Sequence, residues 1–401
     1  MSSMGAASYR VETPEEIEAR RRRAARERYR QAAVRHAALV TETAACRAAH
    51  GRAVSALRRS SEPSQHATAD ELEAAAQRLD AEAAHARGLL DAQLVQVFRD
   101  ELTALAARPA PRVQRRESTA RTGVTGEQAE AARARERAES AERRRVLAER
   151  AAGLLARLPA GTPAQLRERC ATDARDVASA TGEEKARRIL MSLEDRVRAA
   201  ERSRRAVEAA AEQAAALLAR LEDVPGARAA ELADRLTAVI EEGRTRVPPD
   251  LVAEAERAVA EADTERARRI AARALAKVLA DLDYHVGEGF ETALVDRGTA
   301  HAALPGDTGY GLKVLFDRGG SVLRHIVVRD AEADGGQGAD RRAQRTFCDA
   351  LPSLVAGLGQ YHVRLRTGET EEPGRRPVPR VGAGVVPRRE RGGGQEREAQ
   401  A

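Results

Sequence analysis

The sequence predicts a mainly α-helical protein: long antiparallel helical hairpins or coiled coil, followed by a small α+β domain made of an antiparallel meander, one helix and a further strand. One observation is composition. Charged residues make up 32% of the 401, and aromatics only 2%; Ala, Arg, Glu and Leu dominate up to about position 286, as in long helices. Another is a shift in that composition. Six of the nine aromatic residues, and four of the eight histidines, lie between positions 284 and 362. The third is YGLKVLFDRGGSVLRHIVVRD, residues 310–330, whose two apolar runs joined by Gly-Gly read as a β-hairpin.

Residues 1–12 carry no strong pattern and are expected to be a disordered N-terminus. A helical hairpin is expected over 13–108. Thr13-Pro14-Glu15-Glu16 and Thr68-Ala69-Asp70-Glu71 both read as capping boxes at helix starts. The polar SSEPSQ segment separates two helices of about 40 residues, each ~60 Å long. Residues 109–125 are rich in Pro, Arg and Ser and read as a linker.

Residues 126–286 are expected to form a helical bundle or coiled coil with a degenerate repeat. LLARL occurs at 154–158 and 217–221, and VLADL at 278–282. The first two copies precede a Pro-containing turn and a shorter helix. Within this region Leu190, Leu193, Val197, Ala200, Arg204, Val207, Ala211, Ala214, Leu218 and Leu221 follow alternating steps of three and four. That is a heptad stripe, and its meaning is helix pairing, either within the chain or with a second copy. Leu190, Leu193, Val197, Val207, Leu218 and Leu221 are the candidate self-association seam.

Residues 287–381 are expected to be the α+β domain. FETALV (290–295) and TAHAAL (299–304) read as strands, followed by the hairpin, a helix carrying Phe347, Leu351, Leu354, Val355 and Leu358, and a strand at 361–366. An even-length turn at Gly319-Gly320 would put Tyr310, Leu312, Val314 and Phe316 on one face with Leu323, His325 and Val327. Residues 382–401, rich in Gly and Arg, are expected to be a disordered tail.

The 68 basic residues nearly balance 62 acidic ones, for a net charge of +6. Only Lys185, Lys277 and Lys313 are lysines, an excess of Arg that GC-rich coding explains more simply than phosphate recognition. The densest basic run, RRRRAARERYR, contains Arg20, Arg21, Arg22, Arg23, Arg26, Arg28 and Arg30. It reads either as nucleic-acid contact along a helix or as a solvated helix face. Cys46, Cys170 and Cys348 are far apart and odd in number, which suits reduced thiols in the cytoplasm. No apolar run approaches 18 residues, so no membrane association is expected.

No phosphate-binding glycine loop, zinc-protease or hydrolase motif is present, so no catalytic residue, cofactor or metal is expected. His285, His301, His325 and His362 are spaced too widely for a compact zinc site. His325, on an apolar strand face, reads as a core residue. The segments Gly289-Phe290-Glu291-Thr292 and Phe347-Cys348-Asp349-Ala350-Leu351 resemble the small C-terminal α+β module of Arg/Ala-rich long-helix (coiled-coil) proteins of actinobacteria. The resemblance covers roughly 280–381 and implies no activity. The expected function is a non-enzymatic scaffold or adaptor: helices for length and self-association, and the C-terminal module for a protein partner. The alternative is a nucleic-acid-associated coiled-coil protein using the Arg-rich first helix.

Overall fold

A computed structural model describes residues 5–58, 60–64, 66–107, 126–180, 182–306, 309–317, 322–367 and 372–387. The fold is mainly α with a small α+β module. The chain divides into two compact units, Arg22–Ala255, and Met1–Arg21 together with Glu256–Ala401. The boundary therefore falls some 30 residues before the composition shift suggested. The expected linker at 109–125 lies outside the described residues.

The helical unit contains most of α1 (Pro14–His50), then α2 (Ala69–Ala106), α3 (Gly126–Ala156), α4 (Ala164–Ser179), α5 (Glu183–Leu221), α6 (Ala227–Glu241) and the start of α7 (Pro249–Asp281). The cap of α2 is as expected. Glu71 N–H donates to Thr68 Oγ1 at 3.3 Å, and Thr68 N–H donates to the Glu71 carboxylate at 2.8 Å. For α1, Glu16 N–H donates to Thr13 Oγ1 at 3.1 Å.

The α1–α2 pair is parallel, which corrects the expected antiparallel hairpin. Arg28 pairs with Glu73, Arg35 with Asp80, and Arg87 with Glu42, always 45 residues apart. A constant difference in residue number is the signature of parallel helices; antiparallel pairs keep the sum constant. The apolar contacts agree. Ala25 packs with Leu72, Ala32 with Ala76 and Leu79, and Cys46 with Leu90 and Leu94. The intervening chain must return about 38 Å along the helices, within reach of 18 extended residues. Val54 packs beside Leu39 and Leu90 at one end of that path, and Ala67 beside Ala25 at the other. Ser55 and Gln93 exchange two hydrogen bonds, 3.0 and 2.7 Å, where the return begins.

Helices α3 and α5 are also parallel, with Arg150–Glu194 and Arg157–Glu201 both 44 residues apart. The short α4 makes the return and ion-pairs Asp173 with Arg196. The order long helix, turn, short helix occurs twice, as α3–α4 and α5–α6, matching the repeat read from LLARL.

The α+β unit is built on a sheet of β1 (Gly5–Val11), β2 (His285–Val286), β3 (Thr299–Ala303), β4 (Tyr310–Phe316), β5 (Val322–Asp330), β6 (Val363–Thr367) and β7 (Arg380–Val381). The strand order is β2-β3-β4-β5-β1-β6, with β7 pairing parallel to β5 beyond the end of β1. Leu312 pairs with Val327, Val314 with His325, and Phe316 with Leu323. This is the even-length register expected; the turn residues 318–321 lie outside the described residues.

Three local readings are corrected here. Residues 5–11 are not a disordered terminus but an inner strand, antiparallel to both β5 and β6. FETALV is not a strand but the helix α8 (Phe290–Asp296), because only Phe290 and Leu294, four apart, are buried. The backbone enters it through Gly289 in the left-handed region, φ 81°. Residues 382–387 are not a loose tail. Val386 is buried on Ala303 and Val328, and Gly311 leaves it room: a Cβ there would meet Val386 methyls at 3.0 Å and the Ala302 carbonyl at 2.9 Å. Residues 388–401 lie outside the described residues.

One sheet face is covered by the second half of α7, by α8, and by α9 (Gln337–Gln360). Leu275, Val278, Leu279, Phe290, Phe347 and Leu358 pack there against Leu312, Val314, Leu323 and Val327. At one end of the core Arg329 makes a buried ion pair with Asp340, 3.0 Å, and Tyr310 donates to the same carboxylate oxygen at 2.6 Å. The C-terminal segment is pinned by buried polar groups. Gln344 donates to the Arg376 carbonyl and accepts from Gly374 N–H, and Asp330 accepts from Gly384 N–H at 3.0 Å.

Candidate recognition surface

The basic run of α1 is largely committed within the helical unit. Arg26 reaches Glu222 at 3.0 Å and Asp223 at 3.2 Å, Arg23 reaches Asp223 at 3.6 Å, Arg30 pairs with Glu222, and Arg28 reaches Glu73 at 3.1 Å. Arg20 turns back to the Glu16 carbonyl, and Arg21 and Arg22 also have partners. The cations that suggested phosphate contact thus serve mainly to hold α1 to α2 and to the C-terminal end of α5.

Beside these pairs lies a cleft of about 800 Å³, open to solvent and lined in part by Tyr29, Ala33, His36, Leu72, Ala215 and Leu218. At its rim the guanidinium groups of Arg26 and Arg30 are neutralised by Glu222 and Asp223.

The heptad stripe is used inside the chain over its first half. Leu190, Leu193 and Val197 are buried against Ala148 and Ala151 of α3 and Cys170, Ala174 and Val177 of α4. Those three are therefore unavailable as a self-association seam. Leu221 is buried, while Val207 and Leu218 are half-buried. Arg204, the polar residue in the stripe, pairs with Glu208 one turn on, at 2.7 Å.

The four C-terminal histidines do not converge. His285 lies in β2, His301 on the outer sheet face, His325 on the helix-covered face, and His362 in a left-handed turn with φ 58°. No group of three or more His, Cys, Asp or Glu that could hold a metal occurs among the described residues. The Cys46, Cys170 and Cys348 thiols are all pushed up by burial, which disfavours the reactive thiolate.

His325 is 5% exposed, packs against Phe347 with ring centroids 4.8 Å apart and planes tilted by 51°, and has its pKa pushed down to about 4 by burial. Stability should therefore fall with acid. Above the ordinary histidine pKa of 6.5 both folded and unfolded states are neutral. Between there and about 4 only the unfolded chain takes up the proton, which costs the fold up to about 3 kcal/mol. Urea unfolding of wild type and His325→Leu at pH 7 and pH 4.5 should show a smaller acid loss in the variant; equal losses would remove this role.

What the helices leave uncovered is the outer sheet face, of which Val386 covers the patch formed by Ala303, Gly311 and Val328, with Ile326 packed against that patch. Alternation puts Thr299, His301, Lys313, Leu315, Val322, Arg324, Ile326, Ser8, Arg10, Arg364 and Arg366 there, opposite the core residues. Lys313 lies directly between His301 and Ile326, Leu315 between Thr299 and Arg324, and Ser8 between Val322 and Arg366. Arg10 and Arg364 share Glu12, at 3.2 and 3.1 Å. Lys313, Arg324 and Arg366 have no carboxylate partner among the described residues. Burial, and then the charge of Lys313, hold the His301 pKa down. The free side of β6 forms one edge of this sheet.

Sequence reasoning missed this face because it needs β1: without residues 5–11, Arg366 and Arg324 belong to strands that never meet. The alternation Ala7-Ser8-Tyr9-Arg10-Val11 was the available signal. No family model, curated protein or solved structure matches the chain. No helix among the described residues is long and apolar enough to cross a membrane.

Proposed function

We propose that the chain is a non-enzymatic cytoplasmic scaffold or adaptor, with the helical unit as its body and the α+β unit as the part that recognises a protein partner. The observation that carries this reading is the asymmetry of the sheet. One face is sealed by α7, α8 and α9, whereas the other presents half-buried Leu315 and Val322 among Lys313, Arg324 and Arg366, which have no carboxylate partner among the described residues. Mixed apolar and charged surface of this kind, next to an edge strand, suits protein recognition. The nucleic-acid reading of α1 has less support, since its arginines are occupied by Glu222, Asp223 and Glu73.

A photo-crosslinking amino acid at Ser8, exposed on the outer face, tests the proposal in the cells that make the chain. A discrete protein adduct is expected from Ser8 and none from the same group at exposed Val146 of α3. No adduct at Ser8, or the same labelling at both positions, would remove the recognition role.

A further inference from the structure

We propose that the outer sheet face binds an acidic segment of a partner protein that also carries apolar side chains. This rests on the recognition reading above and names the chemistry of the partner. The argument begins with charge. Most arginines of the helical unit discussed above have a carboxylate within reach, across helices or one turn away. On the outer face Arg10 and Arg364 share Glu12, but Lys313, Arg324 and Arg366 lie on β4, β5 and β6 with no acid opposite any of them among the described residues.

Their spacing follows from the register. Lys313 and Arg324 are one strand and one side-chain row apart, roughly 8 Å between Cα atoms, and Arg324 and Arg366 two strands and one row apart, roughly 12 Å. Lys313 and Arg324 repel across about one screening length in physiological salt, while Arg366 lies beyond that length and feels them mainly at lower salt. Carboxylates from outside would relieve that repulsion.

Shape and composition narrow the partner. From β3 to β6 is four strand steps, about 19 Å, and from the row of Lys313 to the row of Arg364 is three steps, about 20 Å. This accommodates some six extended residues or about a dozen helical ones. Leu315 and Val322 lie between the cations, so a ligand of charge alone would leave them uncovered, whereas Ile326 is already packed against Ala303, Val328 and Val386. The face carries no Phe, Tyr or Trp among the described residues, since Tyr9, Tyr310 and Phe316 all point into the core. A single-stranded nucleic acid would find no stacking platform there. An acidic, apolar-containing peptide satisfies both halves of the surface.

Fluorescence anisotropy on the full chain provides the test, with a labelled twelve-residue Glu/Leu peptide, a twelve-residue poly-Glu peptide and a twelve-nucleotide oligothymidylate as probes. The Glu/Leu peptide should bind most tightly. The Lys313→Glu/Arg324→Glu/Arg366→Glu variant should weaken it about tenfold or more, as should raising salt from 50 to 500 mM. All three positions lie on the outer face, so the variant should melt with wild type. If it does not, the triple Gln variant replaces it. Tighter binding of oligothymidylate or poly-Glu, or no effect of the substitutions, would overturn the proposal. The Ser8 crosslink separates the two readings. An adduct that persists undiminished in the charge-reversed chain sinks the acidic partner and leaves recognition standing. No adduct in wild type sinks recognition itself.

Discussion

Leu193→Ala is expected to destabilise the helical unit by roughly 4 kcal/mol. Leu193 is 0% exposed and sits in a cluster with Ala148, Ala151, Cys170, Ala174 and Val177. These neighbours are short, so they cannot swing in to fill the space a lost isobutyl group leaves, and most of the cavity term should remain. The partners belong to the same chain, so the shift in urea midpoint should not change over a hundredfold range of protein concentration. A concentration-dependent midpoint would place the stripe between chains instead. Met191→Ala, two residues away on the exposed side of α5 at 65% exposure, should cost less than about 0.5 kcal/mol.

Tyr9→Ala should cost the α+β unit about 3 to 4 kcal/mol. The ring lies 5.3 Å from that of Phe316, inside the core between sheet and helices. Its hydroxyl is buried with no hydrogen-bond partner among the described residues, and burial pushes its pKa up to about 12. Tyr9→Phe should therefore be neutral or stabilising by about 1 kcal/mol, since it removes an unsatisfied group and keeps the ring. Omitting residues 1–11 altogether should have the larger effect. Val322–His325 of β5 and Val363–Thr367 of β6 would both lose their ladder partner, and the unit should lose its cooperative transition while the helical unit keeps its own. Calorimetry on the full chain resolves the two; an unchanged transition for the α+β unit would show that β1 is dispensable.

The elements legible in the sequence were those whose cause is local. Thr68 and Glu71 are three residues apart, so their reciprocal hydrogen bonds could be read before any tertiary structure. The alternation along 310–316 and 322–328 let the shared face of β4 and β5 be read once an even-length turn was expected between them, because the period of a strand is two. The steps of three and four in α5 marked a buried stripe, and Leu190, Leu193 and Val197 are buried. In FETALV, six residues were too few to separate a period of 2 from one of 3.6.

Other features rest on where distant residues meet. Whether α1 and α2 run parallel or antiparallel depends on the path of the chain between them, and no periodicity encodes that path. Arg35 finds Asp80 and Glu212 only because the fold brings three helices together. The recognition surface shows the same limit most clearly, since Arg366 lies more than 40 residues beyond Arg324 and joins the face of Lys313 and Arg324 only once a strand from the first dozen residues is laid between β5 and β6. By itself the sequence determined a helical body, a small sheet and the inward face of its hairpin, because helix and strand periods and caps are short-range. Only the tertiary structure decided helix direction, the insertion of β1 and the charge pattern of the outer face, because each is set by contacts between segments remote along the chain.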